Sequence, residues 1–302
     1  MKAKTLQILW HGKEPVWSVD FHPSGFLATS GADKEIKLWD VEVDTDGFPS
    51  VRHLETLTGH NKGINIVRFS PTGEVLASAG DAGEILLWRP TDNQRPSDVP
   101  AGEVLENVTW KAGTTLRGHN DDVQALSWSP DSQHILSGSV DNTSIVWDAV
   151  KGKAAVRMAD HQHYIQGVAW DPAGRFLVTQ SGDRTCRVYA PVLPTTTSKK
   201  QRQHTKQEFN PQYLTCMHIL SKRELEQQQE QQQAPAPTTK PTDAENPAQP
   251  VAKENTTKAV KHCLFHDDTI PSFFRRLAWS PDGSFLALPT GQYKRDATAA
   301  TL

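Results

Sequence analysis

Cysteine is scarce: Cys186, Cys216 and Cys263 are the only three in 302 residues. Their spacing suits neither a metal knuckle nor a disulfide framework, and so sparse a count fits a reducing compartment, nuclear or cytosolic. Long apolar runs are missing as well. Residues 1–10 lack the core of a secretion signal, and no stretch approaches the roughly 20 apolar residues of a membrane span. A soluble intracellular protein without membrane association is therefore expected. Charge of one sign is also lacking, with a formal net charge of −3, which gives no electrostatic footprint of direct, sequence-specific nucleic-acid binding. Phosphate-cradling glycine loops are absent from the pattern, since Gly31, Gly80, Gly138 and Gly182 stand singly in turns.

Hydrophobic content is low at 36%, and the deficit is local. Residues 191–262 carry a glutamine run at 227–233, broken by Glu230, followed by Ala-Pro-Ala-Pro-Thr-Thr. Such a stretch buries too little apolar area to offset the entropy of ordering it, so a disordered inserted loop is expected, with a short helix around residues 213–229.

What is present is a repeat. His11 to Trp39, His60 to Trp88, His119 to Trp147 and His161 to Tyr189 each span 28 residues. Ten residues before each terminal aromatic stands a hydroxyl: Thr29, Ser78, Ser137 and Thr179. Two spacings kept in step through four copies mark stacked units, which build surfaces more often than clefts. Within the second copy, residues 64–69, 75–78 and 84–88 read as three strands separated by Ser-Pro-Thr-Gly and Gly-Asp-Ala-Gly turns. Pro71 cannot sit in a central strand and marks the break. The third and fourth copies repeat the pattern, so the chain is expected to be all-β, built from propeller blades or a repeated sandwich.

The recurrent polar positions favour the propeller. A third-strand Trp N–H, a second-strand hydroxyl, a His in the incoming loop and an Asp in the following turn can form one hydrogen-bonded relay. The sets are His11, Thr29, Asp33 and Trp39; His60, Ser78 and Trp88; His119, Ser137, Asp141 and Trp147; and His161, Thr179, Asp183 and Tyr189. Copy two has Ala82 at the Asp position, with Asp81 displaced by one, and copy four ends in Tyr189 rather than Trp. With the Trp-Asp endings at Trp39-Asp40 and Trp147-Asp148, residues 1–190 resemble the WD-repeat family of β-propellers. The resemblance implies four-stranded blades arranged radially about a channel.

After the polar insertion the pattern resumes. Residues 274–279 and 285–288 flank Ser280-Pro281-Asp282-Gly283 and read as two strands of a fifth blade within 263–290; residues 291–302 form a divergent tail. Roughly four and a half blades suggest a piece of a longer, seven-blade ring. An unclosed propeller exposes strand edges and an apolar face, so the isolated chain is expected to be poorly soluble or marginally folded.

The fifth copy begins unusually. From His266 to Trp279 there are 13 residues, against nine from His119 to Trp128. The string Phe265-His266-Asp267-Asp268, followed by Ser272-Phe273-Phe274-Arg275-Arg276-Leu277, resembles the corresponding blade in the family of middle, WD-repeat subunits of chromatin assembly factor 1. Matching segments run in order through the copies: Trp10-His11 with Lys13-Glu14-Pro15-Val16, Val67-Arg68-Phe69-Ser70-Pro71, Leu116-Arg117-Gly118-His119, and Tyr164-Ile165-Gln166-Gly167-Val168. The propeller of Hir-type histone chaperones is a near relative. The resemblance implies a nuclear scaffold of a histone chaperone complex that assembles nucleosomes on replicated or repaired DNA. Its implied partners are the large and small subunits of that complex, histones and an upstream histone chaperone. A generic WD-repeat adaptor, such as a ubiquitin-ligase receptor or signalling platform, is the alternative.

Catalysis is not expected. Ser, His and Asp recur in every copy as structural networks do, inside strands and without an oxyanion hole. Nor is a metal or cofactor expected, because the remaining histidines lack ligand spacing. The basic string at residues 199–206, with Lys199, Lys200, Arg202 and Lys206, could serve as an import signal, but its dilution by glutamine favours a solvated linker. For partner binding, the rim of incoming loops and first-strand starts supplies Glu14, Trp17, Lys62, Asn65, Asp121, Gln124, His163 and Gln166, which vary between copies while their neighbours repeat. Arg275 and Arg276 are read either as a docking site for an acidic partner or as salt-bridge partners of Asp267 or Asp268.

Overall fold

The computed structural model describes residues 10–43, 49–91, 109–192, 209–225, 260–267, 269–270 and 273–292. Four of its sheets are four-stranded antiparallel meanders. The first holds β1 (Val16–Phe21), β2 (Leu27–Gly31), β3 (Glu35–Val43) and β4 (Pro49–Thr58). The second holds β5 (Ile64–Phe69), β6 (Leu76–Gly80), β7 (Ile85–Thr91) and β8 (Thr109–Leu116). The third runs through β9 (Val123–Trp128), β10 (His134–Ser139), β11 (Ser144–Asp148) and β12 (Lys153–Met158). The fourth comprises β13 (Ile165–Trp170), β14 (Leu177–Ser181), β15 (Cys186–Pro191) and β16 (Leu214–Leu220). Two short pairs follow: β17 (Lys222–Leu225) with β18 (Val260–Cys263), and β19 (Ala278–Trp279) with β20 (Leu286–Ala287).

The first strand of each sheet packs beside the first strand of the next, β1 on β5, β5 on β9 and β9 on β13, with β19 continuing from β13. The sheets therefore stand around a common axis with their first strands innermost, as in a WD-repeat propeller. Sandwiching explains the sequence of the inner strands. Ile64, Asn65, Ile66 and Val67 are all buried because the second sheet has a neighbour on each face, so its strands read as continuous apolar runs rather than alternating ones. In β1 the pattern opens out, and Val19 and Phe21 are exposed. One core joins Ile66, Ala77, Ile85, Leu87 and Leu116 to Leu126, Ile135 and Trp147 across the second and third sheets. Each fully buried Ile or Leu there contributes about 1.5–3 kcal/mol.

The Ser-Pro turns close the first hairpins through the serine. Ser70 N–H donates to Val75 O at 2.8 Å, and Gly73 N–H donates to Ser70 O at 2.8 Å. Gly73 adopts φ 77°, a left-handed conformation that glycine reaches without strain, while Ser132 occupies the equivalent position at 59°.

Two readings of the sequence are corrected. The helix expected around residues 213–229 is instead a 3-10 turn at Pro211–Tyr213 followed by β16 and β17. The unpaired edge of β15 captures this segment as a fourth strand, which outweighs the helical propensity of the glutamine-rich residues behind it. In the fifth unit the first strand is only Ala278–Trp279; ahead of it the Arg275 N–H donates to Gln166 O, and the Arg276 side chain donates to Gln124 O and Asn65 O in neighbouring sheets rather than pairing with β20. The glutamine run, the basic string at 199–206, Asp268 and residues 293–302 lie outside the described residues.

Candidate functional site

Each blade is built around a buried polar relay. In the first sheet Trp39 Nε1–H donates to Thr29 Oγ1 at 2.8 Å; that hydroxyl lies 2.8 Å from His11 Nε2, and His11 Nδ1 lies 2.6 Å from Asp33 Oδ2. The third sheet repeats this through Trp147, Ser137, His119 and Asp141 at 2.8, 2.7 and 3.0 Å. Each imidazole thus bridges the hydroxyl and the carboxylate through its two ring nitrogens. Burial opposes ionisation of Asp141. Hydrogen bonds from His119, Thr143 and the Asn120 N–H outweigh it and hold the carboxyl well below the usual range. Asp183 is held low in the same way by His161, Thr185 and the Gln162 N–H.

The departures in sequence have structural counterparts. In copy four His161 joins Thr179 at 2.7 Å and Asp183 at 2.9 Å, but Tyr189 turns its hydroxyl to Asp160 at 3.0 Å. In copy two Trp88 and His60 both bond Ser78 at 2.7 Å. Asp81 does not replace the missing carboxylate, because it accepts from Asn65 Nδ2 at 2.8 Å. Burial then lowers the His60 pKa to about 4. A Ser-His-Asp relay superficially resembles a hydrolase triad, yet Ser137 is 0% exposed and already bonded to both Trp147 and His119. No substrate carbonyl can reach it.

The rim residues divide into two groups. Glu14, Lys62 and Asp121 are exposed, and His163 and Trp17 are half-buried. Lys62 Nζ donates to Asp81 O at 3.0 Å. Asp122, beside Asp121, has its pKa raised by burial and then by the Asp81 and Asp121 charges, which makes this part of the rim acidic. By contrast Asn65, Gln124, Gln166 and Arg275 are buried, so they are not displayed on the rim as the sequence suggested.

Register explains the second group. Trp17, Asn65, Gln124 and Gln166 each occupy a bulge where the first strand slips against the second. A bulge re-aims its side chain, here toward the next unit. Trp17 lies so close over Gly63 that a Cβ there would meet its Cζ3 at 2.6 Å. Asn65 Nδ2 reaches Val123 O at 3.2 Å, and Gln166 Nε2 reaches Phe273 O at 2.8 Å. Trp17, Asn65 and Gln166 thus join successive sheets, while Gln124 is buried at the same bulge position. Sequence reasoning had the signal, since all four share one position in the repeat, but not the direction of the side chain.

Arg275 and Arg276 are likewise internal contacts. Arg275 Nε donates to Gln166 Oε1 at 3.3 Å, and Nη2 donates to the backbone oxygen of Asp267, not its carboxylate, at 3.1 Å. Arg276 crosses the axis and donates to Gln124 O at 3.0 Å and Asn65 O at 2.9 Å. No group of three or more His, Cys, Asp or Glu side chains arranged to hold a metal occurs among the described residues.

Comparison with known proteins adds a second line of observation. Residues 1–224 match the family model described as the CAF1B/HIR1 beta-propeller domain. The chain is 40% identical over 299 residues to the chromatin assembly factor 1 subunit FAS2 homolog of Oryza sativa subsp. japonica, covering 97% of this chain and 50% of that protein. It is 36% identical over 300 residues to the corresponding chromatin assembly factor 1 subunit of Mus musculus, covering 96% and 44%. Protein HIRA of Zea mays is 35% identical over 142 residues, covering 45% of this chain and 15% of that protein. The chain spans about half the length of the chromatin assembly factor relatives in rice and mouse.

Proposed function

Because the chain belongs to the CAF1B/HIR1 β-propeller family, we propose that it is a non-catalytic scaffold subunit of a nuclear histone chaperone complex that assembles nucleosomes on newly replicated or repaired DNA. The carrying observation is coverage: similarity to proteins named as chromatin assembly factor 1 subunits extends over 97% and 96% of the chain, against 45% for the HIRA protein. The partners in this reading are the large and small subunits of the complex, histones and an upstream histone chaperone.

The geometry supports a display role. Buried relays and bulge residues, Trp17 among them, join the sheets, leaving Glu14, Lys62, Asp121 and His163 to vary at the rim. The carboxylates of Asp81, Asp121 and Asp122 suit a basic partner such as a histone. The test is affinity capture with the full 302-residue chain from nuclear extract, probed for the chromatin assembly large subunit and for histones. Recovery of both, weakened by Asp121→Lys, is the expected result. Recovery of neither, from chain that is folded by circular dichroism, would leave the generic adaptor reading in its place.

A further inference from the structure

Successive sheets of this fold meet through one repeated contact, and its two halves recur at opposite ends of the series. In the first contact Phe26 precedes Leu27, the residue paired with the end of β1. Its ring lies 5.4 Å from that of Phe69, the last residue of β5, at an interplanar angle of 84°. Both rings belong to one core with Ala28, Leu38 and Val67. Each sheet thus offers its successor a side chain from just ahead of its second strand. It receives its predecessor on alternate apolar residues of its first strand.

The receiving half is Val67 and Phe69 in β5, Leu126 and Trp128 in β9, and Val168 and Trp170 in β13. All six are buried, none more than 7% exposed. At the same positions of β1, Val19 and Phe21 are 55% and 59% exposed. The offering half recurs as Phe285, which precedes Leu286, the partner of Trp279. Phe285 is 75% exposed, whereas Val75 at the same place is buried and Phe26, His134 and Phe176 are half-buried.

Exposed large apolar side chains that fall on the positions of a repeated interface, rather than singly, mark a contact surface. The two open halves complement each other as Phe26 and Phe69 do, so each fits the other better than itself. We propose that this chain associates head to tail, the fifth unit of one copy seated on the first sheet of the next, with Phe285 of one copy packed against Phe21 of the other. Such a contact is heterologous: every assembly keeps one free half at each end, so growth continues unless the rotation closes a ring. Its strength lies below that of the internal contacts. There Phe69 N–H donates to Asp20 Oδ2 at 2.7 Å and Trp170 N–H to Ser127 Oγ at 2.9 Å. Ala278 stands at the position of Asp20 and Ser127 in the fifth unit and carries no acceptor. The association is therefore reversible and apolar, so added salt should not weaken it. It does not depend on the chromatin reading.

The experiment is sedimentation velocity on the full chain across a micromolar concentration series, beside Phe21→Glu and Phe285→Glu. The unsubstituted chain is expected to grow beyond a dimer as concentration rises. Each variant alone should weaken self-association at least about tenfold. An equal mixture of the two should form a dimer and nothing larger, because each variant keeps the half that the other has lost. A chain that stays monomeric at every concentration would overturn the proposal. So would self-association that only one of the two substitutions abolishes, as when one face pairs with itself, or a mixture no more associated than its components. Should either variant fail to fold by circular dichroism, hydrogen exchange of the unsubstituted chain at low and high concentration decides. Protection gained in both β1 and residues 280–287 is expected, and protection gained in only one of them, or in neither, refutes the head-to-tail contact.

Discussion

Ala82→Asp supplies the carboxylate that the second relay lacks. Ala82 precedes Gly83, whose φ of 71° matches Lys34, Asn142 and Arg184, the residues that follow Asp33, Asp141 and Asp183. The turn is therefore already shaped to present a carboxylate to His60. At pH 7.5 one added hydrogen bond to a charged group is worth about 1–2 kcal/mol, reduced somewhat by the neighbouring Asp81 charge. The effect of pH is larger. With the folded pKa of His60 depressed from 6.5 to about 4, the unfolded chain binds more protons than the native one between those values. His60 thus contributes stability that is fully present above pH 6.5 and is lost as pH falls; the loss from pH 7.5 to pH 5 is about 2 kcal/mol. A carboxylate at position 82 raises the folded pKa of His60 and removes most of that loss. The advantage of the variant should therefore grow from about 1 kcal/mol at pH 7.5 to about 3 kcal/mol at pH 5. Urea unfolding followed by tryptophan fluorescence at the two pH values measures this, together with NMR titration of the His60 ring. Parallel pH dependences for the two proteins, or a His60 in the original chain that titrates near 6.5, would refute the reasoning.

Three further outcomes are expected. Ser137→Ala strands the Trp147 N–H and the His119 Nε2 that now share its hydroxyl, so urea unfolding should register a loss of about 2–4 kcal/mol. Ser137→Thr should cost under about 1 kcal/mol, because Thr29 and Thr179 fill the same position in their own sheets. Cys186 is 0% exposed, and burial pushes its thiol up to about 12; thiol titration at pH 8 should label Cys216 and Cys263 first and Cys186 only in denaturant. A Cβ at position 167 would strike the backbone oxygen of Arg275, so Gly167→Ala should speed hydrogen exchange around Trp279 while leaving β5 and β9 protected. Unchanged exchange there would mean that the fifth unit is not held through this contact.

Much of the fold was legible because its signals are local. The His-to-aromatic stride of 28 residues and the hydroxyl ten residues before the aromatic follow from strand and turn lengths within one sheet. The fourth strands carried less signal. β4 has the buried pattern of an outer strand, mostly exposed or intermediate, and β16 follows a polar segment whose residues favour helix in isolation. Only the open edge of β15 recruits it.

The candidate site divides along the same line. Glu14, Lys62 and Asp121 lie in short loops whose exposure follows from their position between strands. Asn65 and Gln166 look like variable surface polar residues in one dimension, yet each sits at a one-residue slip of register and bonds the next sheet or unit; Gln124, at the same position, is buried. The sequence alone determined the repeat, its strands and its polar relays, because those rest on spacings within a single unit. Only the tertiary structure decided that the bulge residues Asn65 and Gln166 bind unit to unit, that Arg275 bonds Gln166, and that Arg276 reaches the second and third sheets. Those contacts join residues 58 to 211 positions apart, and their energies depend on distances that no local pattern encodes.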